Sequence, residues 1–160
     1  METTQVRKGK PPKYLFYNID GDIFVSKLSE IKEVVNDLEL GEVPLRNSFT
    51  LGMSSLRGEI ISVLSLGSLL SSSIDMKEVN KTMRSDQSIM SGERKAVTLI
   101  IEHKELKYGL AIDSIKQVGY LDHRQFKESS EHSSVNGHYS VENRIATVIN
   151  LKSLLQDQCP

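Results

Sequence analysis

Short runs of β-branched and large apolar residues, broken at close intervals by turn residues, recur along this chain and predict many short strands. Tyr14-Leu-Phe-Tyr-Asn-Ile19 reads as the first strand, Asp20-Gly21-Asp22 as a tight hairpin turn and Ile23-Phe-Val25 as the return strand. Aspartate beside glycine is what a turn needing positive φ selects, so these acids are assigned to turn chemistry rather than to a metal or catalytic pair. From Leu28 to Val35 the apolar positions fit either one helical turn leading into a strand or a bent strand, with Glu33 flanked by apolar neighbours. Leu38 to Pro44 reads as a loop, and Phe49 as an aromatic anchor ahead of Gly52.

The stretch from Gly52 to Leu66 organises the chain. It opens with a glycine, passes through Leu56-Arg57-Gly58, and runs into a strand carrying Ile60, Ile61, Val63, Leu64 and Leu66. Gly58 stands where the chain turns into that strand, because a residue without a Cβ does so at least steric cost. Arg57 is thereby held at the surface by a rigid element and offers fixed donors to a carboxylate or carbonyls, either on a partner or in solvent.

Ser68-Leu69-Leu70 closes a short helical turn, and Ser71 to Glu93 follows as a long, serine-rich stretch of mixed charge. It predicts a mobile inserted loop; the competing reading is an amphipathic helix with Met76, Met83 and Met90 along one face. The second half restarts with a strand at Ala96–Ile101, a turn at Glu102–Glu105 and a strand from Leu106 to Ile112 that Asp113–Val118 continues. Lys127 to Ser140 reads as a second variable loop, and Asn143 to Leu155 as a buried strand, a polar residue and a short terminal helix.

Composition narrows the classes. A chain of 160 residues, 38% hydrophobic, suffices for one domain or two small lobes sharing a core. No apolar run is long enough to span a bilayer, and no charged-then-apolar export segment opens the chain. Twenty Lys and Arg against 21 Asp and Glu give a formal net charge of -1, which supplies no electrostatic reason to expect nucleic acid. Residues 1–13, with Arg7, Lys8, Lys10 and Lys13 beside two prolines, read as a disordered basic tail, and residues 156–160, including the lone Cys159, as a frayed end.

Catalytic chemistry finds no foothold. His103, His132 and His138 have no metal-ligand spacing with cysteine or clustered acids. The glycines do not form a phosphate loop, and there is no nucleophile elbow. No metal, cofactor or catalytic set is assigned, although a small enzyme with a site assembled between lobes stays open at this level.

Gly-x-x-x-Leu-Arg-Gly at Gly52–Gly58, followed by an apolar strand ending in leucine, resembles the central motif of the CheW-like domain. That family comprises bacterial chemotaxis coupling proteins and the matching regulatory domain of their histidine kinase. Family members usually carry Asn, Pro and Asp where this chain has Ser55, Ser62 and Ser65, and often Arg at Gly67. Three further segments resemble the family in the same order: Ser29–Val35, Tyr108–Val118 and Asn143–Leu155. The resemblance covers residues 14–155 apart from the 71–93 loop. It implies an all-β fold of two small β-barrel lobes, about five strands each, on a shared core, with short helical turns and a C-terminal helix. It also implies a non-enzymatic cytoplasmic adaptor, recruited to membrane-anchored arrays without inserting into the membrane. Its partners would be a chemoreceptor's cytoplasmic tip and the regulatory domain of a CheA-type histidine kinase. Ile31, Glu33, Gly52, Leu56, Arg57, Gly58, Ile115 and Val118 match the receptor- or kinase-binding positions, and Glu33 with Arg57 is a candidate surface pair. The alternative is a divergent interaction module in a non-chemotactic pathway.

Limited proteolysis is expected to cut within residues 71–93 before either lobe; nicking of the lobes first would mean that the methionine face packs as a helix.

Overall fold

A computed structural model of the chain describes residues 10–41, 49–73, 97–130 and 132–158. The first half holds β1 (Tyr14–Ile19), β2 (Asp22–Lys27), a 3-10 turn (Leu28–Glu30), β3 (Glu33–Asn36), β4 (Thr50–Leu56), β5 (Glu59–Ser65) and helix α1 (Leu66–Ser73). The second holds β6 (Val97–His103), β7 (Leu106–Ile112), β8 (Ser114–Gly119), a 3-10 turn (His123–Gln125), β9 (Phe126–Glu128), β10 (Val135–Val141), β11 (Arg144–Ile149) and helix α2 (Leu151–Gln158). Hairpins β1–β2, β4–β5, β6–β7 and β10–β11 turn through two residues with positive φ: Asp20-Gly21, Arg57-Gly58, Lys104-Glu105 and Glu142-Asn143. Such turns match the right-handed twist of the strands they join.

The strands form two sheets, in the orders β8-β1-β2-β11-β10-β9 and β3-β6-β7-β5-β4. Each sheet is built from both halves of the chain. β3 leaves the first hairpin to pair with β6, and β8 leaves the third to pair with β1. The halves also repeat each other: Gly52–Leu70 aligns without a gap on Gly137–Leu155, hairpin on hairpin and helix on helix. Even the helix caps correspond. Ser65 Oγ accepts from Ser68 N at 3.2 Å, and Asn150 Oδ1 accepts from Ser153 N at 3.0 Å.

One apolar layer lies between the sheets. Leu15, Tyr17, Ile19 and Phe24 meet Leu64, Leu99, Ile101, Leu110 and Ile112 there, with Leu66, Leu69 and Leu70 of α1 and Leu151, Leu154 and Leu155 of α2. Two smaller clusters fill the other faces. Phe16, Ile23, Val25, Tyr139, Ala146 and Val148 pack inside the six-stranded lobe, and Ile61, Val63, Ile100 and Ala111 inside the five-stranded one. The latter is flanked by Val35, Leu38, Leu51 and Leu56 from the edge strands β3 and β4 and the chain after β3, so those edges approach each other around the interior. Two hydrogen bonds join them, from Gly41 N to Met53 O at 2.7 Å and from Met53 N to Gly41 O at 3.0 Å. Gly52 is required beneath this crossing, because a Cβ there would lie 2.6 Å from the Gly41 carbonyl oxygen.

The structure corrects several expectations. Asp113–Val118 does not extend β7. The chain leaves one sheet at Asp113 and enters the other as β8. Asp113 N donates to Asn18 O (3.0 Å), and its carboxylate accepts from Asp20 N (2.7 Å), which fixes the crossing to the first hairpin. Most of Lys127–Ser140 belongs to β9 and β10; β10 alternates buried with less buried residues from Val135 to Tyr139, but glycine, asparagine, histidine and serine within it resemble loop composition. Leu66 begins α1 instead of ending a strand, and Ser71–Ser73 form that helix's last residues rather than loop. Residues 156–158 are helical, as the last residues of α2. The rest of the 71–93 segment, residues 1–9 of the basic tail and Cys159 lie outside the described residues.

Val63→Asp or Ile149→Asp places an uncompensated carboxylate at a residue 1% exposed. The cost is several kcal/mol, against about 5–15 kcal/mol of total stability. Both variants are expected to lose the cooperative thermal transition, and Lys104→Asp, in an exposed turn, to keep it.

Candidate functional site

Arg57 occupies the first position of the β4–β5 turn with φ +50°, followed by Gly58 at +85°. Turns of this type select Asn, Asp or Gly at that position, so an arginine there is locally unfavourable. Its side chain reaches across the mouth of the five-stranded lobe to Glu33 at the start of β3. Nη1 donates to Oε2 at 2.5 Å and Nη2 to Oε1 at 2.7 Å. Strands β6 and β7 separate β3 from β5 in the sheet, so this bidentate pair spans the lobe's open end. Glu33 lies opposite Ile100 in the ladder, on the interior side, whereas Arg57 is exposed. The hydrogen bonds from Arg57, then its charge and that of Lys107, hold the Glu33 carboxyl below the usual glutamate value. The same bonds raise the guanidinium's pKa.

Leu56 is half-buried beside the lobe interior, and Gly58 lies in open space at the tip. Glu33, Leu56, Arg57 and Gly58 therefore form one rim. Gly52 is buried under the Gly41 crossing and faces no solvent. Ile31 packs half-buried against the layer between the lobes. Ile115 and Val118 stand exposed on β8, at the edge of the other sheet, and do not join the Arg57 rim.

Sequence reasoning did not single out Ile60 and Leu106, which are 65% and 60% exposed. Ser62 pairs with Tyr108 in the parallel β5–β7 ladder, so these two residues, each two positions earlier, lie side by side on the outer face. Ile60-Ile61-Ser62-Val63-Leu64 shows no clean alternation in sequence, so the outward position of Ile60 is seen only in the fold, where Ile61 and Val63 face inward. Ser65, where the family usually has Asp, is a buried helix cap; either residue type can supply that acceptor.

Among the described residues no group of three or more His, Cys, Asp or Glu is placed to hold a metal ion. A polar cleft is lined by Ser29, Glu30, Lys32, Glu102, Lys104, Glu105 and Lys152. Its charges are mixed, and Lys32 pairs with Glu102 at 3.0 Å. Glu30 serves the fold there, accepting from Leu151 N at 3.1 Å at the start of α2. Burial raises its pKa. No helix of the described residues is long and apolar enough to cross a membrane.

Two sheets that exchange strands across one apolar layer, with charged and apolar side chains displayed at their rims, define a two-lobed all-β domain. The family model of the CheW-like domain matches residues 13–159, and the chain belongs to that family. The fold is similar to the crystal structure of scaffolding protein TtCheW from Thermoanaerobacter tengcongensis, with a TM-score of 0.68 and 20% sequence identity over 92% of this chain and 94% of that one. No curated protein sequence matches.

Because its pKa is lowered in the folded state, ionised Glu33 contributes stability above its ordinary value of 4.5, and that contribution is lost as pH falls through the folded value. Glu30 acts with opposite sign, since a raised pKa favours the folded state on acidification. Glu33→Gln is therefore expected to lose less melting temperature than wild type on acidification below 4.5, with Glu30 common to both. Identical acid profiles would show that the rim pair does not couple to folding.

Proposed function

We propose that this domain is a non-enzymatic adaptor that couples a chemoreceptor's cytoplasmic tip to the regulatory domain of a CheA-type histidine kinase. It acts in the cytoplasm, at membrane-anchored receptor arrays. The observation that carries this reading is the match of the CheW-like family model to residues 13–159, nearly the whole chain. The scaffolding role named for the similar TtCheW structure supports it.

The geometry suits such a role. Arg57 commits two donors to Glu33 and keeps its remaining N–H groups for a partner carboxylate or carbonyl. Because Glu33 fixes its orientation, little side-chain freedom is lost on docking. Ile115 and Val118 give the other lobe an apolar contact, while Ile31, Leu56 and Gly58 border these groups and the buried Gly52 makes room for the Gly41 crossing. A body whose lobes share one core passes a change in receptor packing to the kinase as a difference in contact energy between two states.

Arg57→Asn separates binding from folding, because asparagine is at home in a left-handed turn position. The variant is expected to melt at or slightly above the wild-type temperature. Its complex with receptor and kinase should be weaker by roughly thirtyfold or more, as for a central interface arginine. Wild-type coupling by a folded variant would remove Arg57 from the interface. Failure of the unaltered protein to bind receptor or kinase would overturn the adaptor reading.

A further inference from the structure

The rim of the six-stranded lobe carries its own ion pair, with the polarity reversed. Glu142 holds the first position of the β10–β11 turn at φ +52°, where Arg57 stands at +50° in the equivalent β4–β5 turn. Its carboxylate meets Lys116 Nζ at 3.1 Å. Lys116 lies on β8, the strand this lobe receives from the other half of its repeat, as Glu33 lies on the exchanged strand β3. Strands β1 and β2 separate β8 from β11, so this pair also spans an open end. In both pairs the turn residue is the exposed member, at 68% for Arg57 and 62% for Glu142, and the strand residue the shielded one, at 29% and 25%.

Lys116 also occupies an irregular place in its strand. Phe16 pairs with Gln117 and Tyr17 with Ile115, which leaves Lys116 as an extra residue in a bulge. The consequence falls on its neighbours. In a regular strand Ile115 and Val118, three apart, would point to opposite faces. With the bulge they stand opposite Tyr17 and Leu15, which face the same side, into the layer between the lobes. Both exposed residues thus extend one apolar face to the edge of the sheet.

We propose that Lys116 and Glu142 are positioning residues for this face: their ion pair pins the bulge that aligns Ile115 with Val118 for docking. The proposal rests on the adaptor reading for its partner, a receptor cytoplasmic tip, and on this chain alone for the geometry.

The test is a charge exchange, read in two ways. Amide hydrogen exchange of residues 116–118 is measured in wild type, Lys116→Glu, Glu142→Lys, the double exchange and the conservative Lys116→Arg, beside binding of a receptor cytoplasmic-tip fragment. Each single reversal is expected to speed exchange at residues 116–118 and to weaken binding about twofold to fivefold, the scale of a partly exposed ion pair. The double exchange, which copies the polarity of the Arg57–Glu33 rim, should restore both readouts, and Lys116→Arg should retain both. Unchanged amide exchange in the single variants, or a double variant no better than its parents, would overturn the proposal. Wild-type protein that binds no receptor fragment would overturn the adaptor reading instead, and the amide exchange would still decide the positioning.

Discussion

Neither lobe is complete without a strand from the other half of the chain, and the apolar layer between the sheets depends on that exchange. β3 crosses to β6, β8 crosses to β1, and the hairpins β4–β5 and β10–β11 join through parallel pairs with β7 and β2. Leu15 and Tyr17 are thereby set facing Leu99, Ile101 and Leu110, and helices α1 and α2 add their leucines to the same layer. Separating the lobes would expose this layer and strip each sheet of an edge, so the two halves form one unit. Rigidity across the junction is the mechanical property an adaptor requires.

The open ends of the lobes follow from the same repeat. At each, a two-residue turn projects a charged side chain across the interior to the exchanged strand. Exposed pairs of this kind add little to stability. Their effect is orientational: Arg57 is presented with part of its donor set already placed, and Lys116 is held where it interrupts the ladder. Placing Arg57 in a left-handed conformation is locally unfavourable, which sets this turn apart from Asp20-Gly21, whose residues suit their φ values. Reversal of charge between the rims gives the ends different surfaces despite their common construction.

Much of this was legible along the chain. Tyr14–Ile19, Ile23–Val25 and Leu106–Ile112 appear as strands in both sequence and structure, because an apolar run bounded by turn residues reports its own local conformation. Asp20-Gly21 is a turn for the same local reason, and Leu28–Val35 took the helical-turn-then-strand form of its two readings. The candidate pair Glu33–Arg57 is formed. β9 and β10 escaped because three residues are too few to show a period, and in the other Asn136, Gly137, His138 and Ser140 are residue types of low strand preference that masked an intact alternation. The repeat of Gly52–Leu70 in Gly137–Leu155 was present in the letters, most plainly in Ser65-Leu-Gly-Ser-Leu-Leu70 and Asn150-Leu-Lys-Ser-Leu-Leu155, and a self-comparison would have found it.

By itself the sequence determined the strands with clear patterns, the glycine turns and the surface position of Arg57. These depend on neighbours one to four residues away. Only the tertiary structure decided which sheet each strand joined, that Asp113 ends one sheet and begins the path into another, and that Ile115 and Val118 share a face. The reason is that ladder hydrogen bonds are made by backbone groups common to all non-proline residues, so pairing carries little residue identity. The choice among partners is made by burial of distant apolar faces against one another. The chain's halves reveal that choice only when they are folded together.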